Sequence, residues 1–294
     1  MFICSMIIVF ILSNYFFHDW NLGFQIVAAI SIGLAVTLAE ALSYKGSDNL
    51  TVPITAFLFI ELFNHINKNQ LMIDNFHFVA LIILILFISY KKNQLSMSGY
   101  IGAVIMAILL YGFGGSSYIY PIVVFFITSS ILSHFKKDYI KIKKSDRNIS
   151  QVYANGGVAL FICIINHFYY HDLMYPCFLA SVAAANSDTW GTELGKMSNK
   201  TPIDIISRHK TAPGTSGGIT LIGTIGSILG SLVIGIVGHF FYISLNLLLL
   251  VIISGFLSSI IDSILGSTFQ ARYISADGSI ITDCLLYTSD AADE

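Results

Sequence analysis

Charge is scarce in this sequence. Only 11% of its 294 residues are Asp, Glu, Lys or Arg, against about 25% in a soluble globular domain. A chain of this length with so few ionised groups cannot cover itself with a hydrated surface, and an ordinary soluble fold is excluded. Cysteine is scarce as well, at four residues. Cys4, Cys163 and Cys177 lie in apolar runs without CxxC or Cys/His spacing. That excludes a zinc module or a disulfide framework and leaves them as small buried hydrophobes. Polar stretches long enough to make a soluble domain between the apolar runs are also missing.

What fills the sequence is apolar. Hydrophobic residues make up 55% and mean hydropathy is +0.76. Near-continuous apolar stretches approach the roughly 20 residues needed to cross a hydrocarbon core. The reading is an all-α, multi-pass membrane helix bundle in the cell membrane. It has about ten spans, near 2–17, 23–43, 51–67, 74–90, 98–113, 117–134, 156–170, 173–187, 217–240 and 243–266. The first lacks a basic leader and an A-x-A-like cleavage site, so it reads as a retained helix.

The basic residues supply an internal check. With loops numbered by the span they follow, the even loops carry Lys45, Lys91 and Lys92, Lys136 through Arg147, Lys196 through Lys210, and Arg272; the odd loops carry only Lys68. An error in the count would scramble that alternation. By the positive-inside rule the N-terminus and the even loops are expected in the cytoplasm. The basic loop 135–155 reads as an orientation signal that meets anionic headgroups. Gly226 and Gly230 form a G-x-x-x-G pair suited to close helix packing.

The last eleven residues, Cys284 to Glu294, break this character. CLLYTSDAADE is polar and looks like a sequencing adapter translated in frame, so it is expected to contribute nothing to the fold or the site. Without its three acids the formal charge of −2 becomes +1, from 15 basic and 14 acidic residues.

Chemistry-bearing residues concentrate in 186–220, NSDTWGTELGKMSNKTPIDIISRHKTAPGTSGGIT. Asp188 and Glu193 sit at the membrane boundary, where acids are costly and commonly functional. Lys196, Arg208, His209 and Lys210 follow on the same side. The run Gly214-Thr215-Ser216-Gly217-Gly218 then leads into a span, where exposed backbone N–H groups and a helix N-terminus make an anion cradle. Asp262, in the apolar run SSIIDSILGS, is a second intramembrane acid near the same face. Acids for a hard cation, bases for phosphate and a glycine-rich turn are the parts of Mg²⁺-dependent nucleotide chemistry. Each part has a plain structural alternative: a tight connection, an orientation signal, a capping acid, or a hydrogen bond from Asp262 to Ser259 or Ser263.

Four segments, QVYANGG (151–157, with Asn155), NSDTWGTELGK (186–196), HKTAPGTSGG (209–218) and DSILGSTFQ (262–270, with Gln270), occur in the order of one family. Over roughly 95–283 the sequence resembles the membrane family called domain-of-unknown-function family ninety-two, which includes the plant phytyl-phosphate kinase. More loosely, 186–220 is similar to CTP-dependent phosphatidate cytidylyltransferases, lacking their paired Lys-Arg and second acidic run. AEALSYKGSDNLTVPITAFLF, with Glu40, Asp48 and Asn49, looks like the closing segment of phytol and dolichol kinases. The resemblances imply residues 1–70 as the remnant of such a domain, 71–283 as a phytyl-phosphate-kinase-like domain short of its final segment, and 284–294 as artefact.

They also imply CTP as phosphoryl donor, Mg²⁺ as cofactor and an isoprenoid-type lipid phosphate within the bilayer as substrate, with no nucleic-acid partner. On that reading Asp188 and Asp262 hold the metal, Lys196, Arg208 and Lys210 serve catalysis, and Gly214 to Gly218 bind the nucleotide. A lipid cytidylyltransferase needs the same groups. From another class, a transporter of a small solute or lipid would also suit Gly-interrupted spans with intramembrane acids, although no repeat relates the two halves of the chain.

Overall fold

A computed structural model describes residues 1–43, 46–69, 76–134, 147–198, 200–212, 214–241, 243–269, 272–274 and 280–282. Lys45, the lysines between 136 and 144, Gln270 and the tail from Cys284 lie outside them. The described chain is a helix bundle. Its helices are α1 (Phe2–Phe16), α2 (Leu22–Leu42), α3 (Asp48–Asn69), α4 (Phe76–Lys91), α5 (Met97–His134), α6 (Ile149–Phe168), α7 (Met174–Met197), α8 (Leu221–Phe240) and α9 (Leu245–Thr268). Two antiparallel pairs of short strands complete it: β1 (Ile203–Asp204) with β2 (Gly218–Ile219), and β3 (Arg272–Ile274) with β4 (Ile280–Thr282).

Six of these helices, α2, α3, α5, α6, α8 and α9, are long and apolar enough to cross a bilayer by length and composition. Their outer faces carry exposed Ile, Leu and Phe, for example Ile225 and Leu229 on α8 and Ile253 and Leu257 on α9. A large apolar exterior fits hydrocarbon as the surrounding solvent. Two spans expected at 98–113 and 117–134 lie within α5, interrupted at Gly115, whose φ of 69° and ψ of −160° leave the helical region. Only glycine adopts such a conformation without strain. The span expected to stop at 187 continues to Met197 as α7. Hydropathy ends there, but backbone hydrogen bonding does not depend on side-chain polarity, so the helix carries its polar half onward.

The chain divides into two compact units. The first comprises residues 1–115 and 147–152, the second 116–146 and 153–294. In the first, α2 packs against α1 and α3 around Ala28, Ile32, Leu62 and Phe63. Trp20 closes one end, stacked on Phe17 at 4.5 Å and edge-on to Phe24 at 5.0 Å.

In the second unit α7 is the central element and packs against both α8 and α9. The expected glycine contact is present: a Cβ at Gly226 would stand 2.8 Å from the Trp190 carbonyl oxygen. Such proximity lets polar groups bond across helices, as small residues do in membranes. Ser187 Oγ donates to the Ser227 carbonyl at 2.8 Å, and the Ser227 and Ser259 hydroxyls join α8 to α9 at 2.9 Å.

Candidate functional site

At the polar end of α7 the three helices diverge around a cavity of about 550 Å³, within the usual range for small-molecule sites. The α7 wall is Asp188, Gly191, Thr192, Gly195 and Lys196, one helical face at i, i+3, i+4, i+7 and i+8. α8 contributes Gly223, Thr224 and Ser227, and α9 contributes Phe256, Ser259, Ile260, Asp262 and Ser263. The loop between α7 and α8 supplies Lys200 and the stretch from Gly214 to Thr220. Asp188 thus meets the like charge of Asp262 and the opposite charge of Lys196.

The β1–β2 pair holds this loop together. Asp204 pairs with Gly218 in register, and the Ile205 amide donates to the Gly217 carbonyl at 3.0 Å. The Asp204 carboxylate is buried. It accepts from the amides of Ile206 at 3.0 Å and Ser207 at 2.8 Å. The Ser267 hydroxyl on α9 lies 2.9 Å from each of its oxygens. Burial works against the charge, but these hydrogen bonds outweigh it and hold the Asp204 carboxyl down at about 2, the expected sign for a carboxylate that collects donors.

The glycine-rich turn departs from the expected helix entry. Gly218 and Ile219 form a strand, and α8 starts only at Leu221, capped by Thr220 Oγ1, which accepts from the Gly223 amide at 3.0 Å. The Thr215 and Gly218 amides are bonded within the turn, to Ala212 and Thr215 carbonyls, so these two do not face an anion. Gly217, at φ 83°, abuts Ser267: a side chain there would place Cβ 2.6 Å from the Ser267 Cβ.

Of the residues singled out in sequence, the cavity gathers Asp188, Asp262, Lys196, Gly214, Thr215, Ser216, Gly217 and Gly218. Arg208 (φ 58°) and Lys210 are exposed on the loop and do not line it. Glu193 in α7 and Asn155 in α6 are half-buried and also absent from its wall. Glu40, Asp48 and Asn49 belong to the first unit. Sequence reasoning overlooked Lys200, the hydroxyl groups of Thr192, Thr224 and Ser227, and Asp204, and took Ser259 and Ser263 only as structural partners of Asp262. The hydroxyls carried a readable signal, Thr224/Ser227 and Ser259/Ser263 repeating at helical spacing. Asp204 carried none, since its partner Ser267 is 63 residues away.

The family model described as "Integral membrane protein DUF92" matches residues 80–291. An uncharacterized membrane protein of Methanocaldococcus jannaschii, MJ0933, is 32% identical over 198 residues, covering 66% of this chain and 83% of its own length. Protein PGR of Arabidopsis thaliana is 29% identical over 219 residues, covering 64% of this chain and 76% of its own. No solved structure matches the chain.

Proposed function

This chain belongs to the DUF92 family of integral membrane proteins, and we propose that it transfers a phosphoryl group from CTP to an isoprenoid-type lipid phosphate at the α7–α8–α9 cavity. The observation that carries the reading is the convergence of two acids, two lysines and a glycine-rich turn on one cavity walled by α7, α8 and α9, of which α8 and α9 are long and apolar enough to cross a bilayer. The resemblance to CTP-dependent lipid kinases supplies the nucleotide and the lipid class.

In this mechanism an oxygen of the lipid phosphate attacks the γ-phosphorus of CTP, the bond to the β-phosphate oxygen breaks, and CDP leaves. The reaction needs positioning and charge stabilisation more than a protein nucleophile. Lys196 and Lys200 place positive charge on the cavity wall against phosphate oxygens. At Gly214, where an added side chain would meet nothing within 4 Å, the turn lets the nucleotide phosphates lie close to the backbone. Phe256 and Ile260 give the cavity an apolar side for the lipid near its head. Arg208 and Lys210, out on the loop, act at longer range by drawing the anionic nucleotide in.

The residues present fit Mg²⁺. That ion is ordinarily held by one or two carboxylates, with water and substrate phosphates completing its shell. Asp188 and Asp262 meet this need, and no group of three or more His, Cys, Asp or Glu suited to a metal occurs among the described residues. Bound there, Mg²⁺ would neutralise charge on the phosphates. The basic residues of the loop around the cavity favour the cytoplasmic side by the positive-inside rule, where CTP is available.

The test is mass spectrometry of products made by the full chain in liposomes holding a polyprenyl phosphate, with CTP and Mg²⁺. A lipid diphosphate appearing with CDP supports the proposal. A CDP-lipid with pyrophosphate would replace it by nucleotidyl transfer. Unaltered nucleotide alongside solute flux across the same liposomes would replace it by transport.

A further inference from the structure

We propose that Asp204 and Ser267 form a latch that seats the Gly214–Gly218 turn on the end of α9, making Asp204 a positioning residue of the cavity. Three contacts meet at this point. The Ser267 hydroxyl reaches both Asp204 oxygens at 2.9 Å. Asp204 lies beside Gly218 in the strand pair. Gly217 and Ser216 lie directly against Ser267 and Gly266, where an added Cβ would collide. The helix that carries Asp262 is therefore tied, five residues farther on, to the turn that closes the other side of the cavity.

The geometry makes the tie specific. A serine hydroxyl has one hydrogen, shared here between two oxygens of a charged acceptor, and such charge-assisted bonds are the stronger kind. The two loop amides on Asp204 fix the carboxylate from below, so it cannot follow Ser267 away without giving them up. Opening the latch separates the glycine-rich turn from α9 and widens the gap between Asp262 and the turn. The helices themselves, held by the α7–α8 contacts, stay as they are.

Thr211 provides a reporter. Its amide donates to the Pro202 carbonyl at 3.0 Å, and its Oγ1 is buried beneath Gly218 without a hydrogen-bond partner among the described residues. A Thr211→Cys thiol in the place of Oγ1 is shielded while the loop is seated and gives up no hydrogen bond to a described residue. The experiment uses the full chain in liposomes with Cys4→Ser, Cys177→Ser and Cys284→Ser. Cys163, buried in α6, is kept as the internal reference for global opening.

Ser267→Ala should raise maleimide labelling at position 211 roughly tenfold, the scale of one lost hydrogen bond to a charged group. Ser267→Thr, which keeps the hydroxyl, should return it to the parental rate. Cys163 should label at the same slow rate throughout. Asp204→Asn should behave like Ser267→Ala and stands in for it where that chain fails to insert. Equal labelling in Ser267→Ala and parent, or a parallel rise at Cys163, overturns the latch.

The catalytic consequence rests on the phosphotransfer reading and is measured separately. Ser267→Ala should raise the KM for CTP roughly tenfold, again the scale of one charge-assisted hydrogen bond, with kcat little changed and Ser267→Thr restoring it. A loss confined to kcat overturns the positioning role. If no CTP turnover is found even in the parent, that reading fails, while the labelling result still decides the latch.

Discussion

Asn186 on α7 donates from Nδ2 to the Gly230 carbonyl on α8 at 2.7 Å, at a level where the two backbones nearly touch. A Cβ added to Gly230 would lie 2.8 Å from the Asn186 carbonyl oxygen and 3.1 Å from its carbon. Asn186 is fully buried, and Ser129 Oγ reaches its Oδ1 at 3.5 Å. This contact lies deeper than the cavity and sets how closely its walls approach.

Gly230→Ala should therefore push α7 and α8 apart. The obstacle is backbone, which has no rotamer to retreat into, so the cost should be about 1–3 kcal/mol, the usual range for overpacking. Unfolding in mixed detergent micelles measures it. Gly157→Ala on α6 is the control. Its nearest neighbour is the Tyr153 side chain at 3.8 Å, and a helical alanine is favoured over glycine by about 1 kcal/mol. Equal effects at the two positions would remove the close-packing argument.

Asp188→Asn should lower phosphoryl transfer by roughly two to three orders of magnitude per inserted molecule, since a fixed charge partner in such a site contributes about 3–4 kcal/mol. Lys196→Ala and Lys200→Ala should each cost more than Lys210→Ala, because only the first two line the cavity. Saturating CTP separates the chemical step from binding. Wild-type turnover in Asp188→Asn would discard the metal assignment.

The loop joining α7 to α8 and the turn joining α6 to α7 should lie on opposite faces of the membrane. The first carries Lys200, Arg208 and Lys210; residues 169–173 contain no Lys or Arg. With an impermeant maleimide on intact cells, Asp172→Cys should label from outside and Ser207→Cys only after permeabilisation. The reverse pattern would invert the orientation.

The latch carries a pH signature. The Asp204 carboxyl is held at about 2, below the ordinary value near 3.9 for an unfolded chain. A depressed carboxyl contributes stability in full above its unfolded value and loses it as pH falls through the folded one. Labelling of Thr211→Cys, corrected for the reagent's own pH dependence, should stay slow from neutral pH down to about 4 and rise between about 4 and 2. In Asp204→Asn that rise should be absent, because the titrating group is gone. A transition centred near pH 6 would point to another group.

How much of this was legible in sequence depended on the range of the interaction. The all-α membrane class follows from sparse charge and recurring apolar runs, because transfer into hydrocarbon adds up residue by residue along a helix. The approach of α7 to α8 at Gly226 and Gly230 was readable for a similar reason: a G-x-x-x-G repeat lies on one helix face whatever surrounds it. Asp188 and Lys196, eight residues apart on α7, share a face by helical period alone.

The rest was decided in three dimensions. Lys200 reaches the cavity while Arg208 and Lys210, in the same loop and of like charge, do not. Their direction is set by the reversals at Arg208, Gly214 and Gly217, and a hydropathy profile carries no information about chain direction. The glycine-rich run could be recognised as a turn, but its diversion into a strand required the pairing of Gly218 with Asp204. Asp204 itself reads as one more loop acid until the fold brings Ser267 to it from the far end of α9. Helical period and hydropathy act within a segment, so they determined the class, the helices and which residues share a face. Charge pairing and hydrogen bonding across 63 residues need closed loops, so only the tertiary structure decided which polar groups make the site.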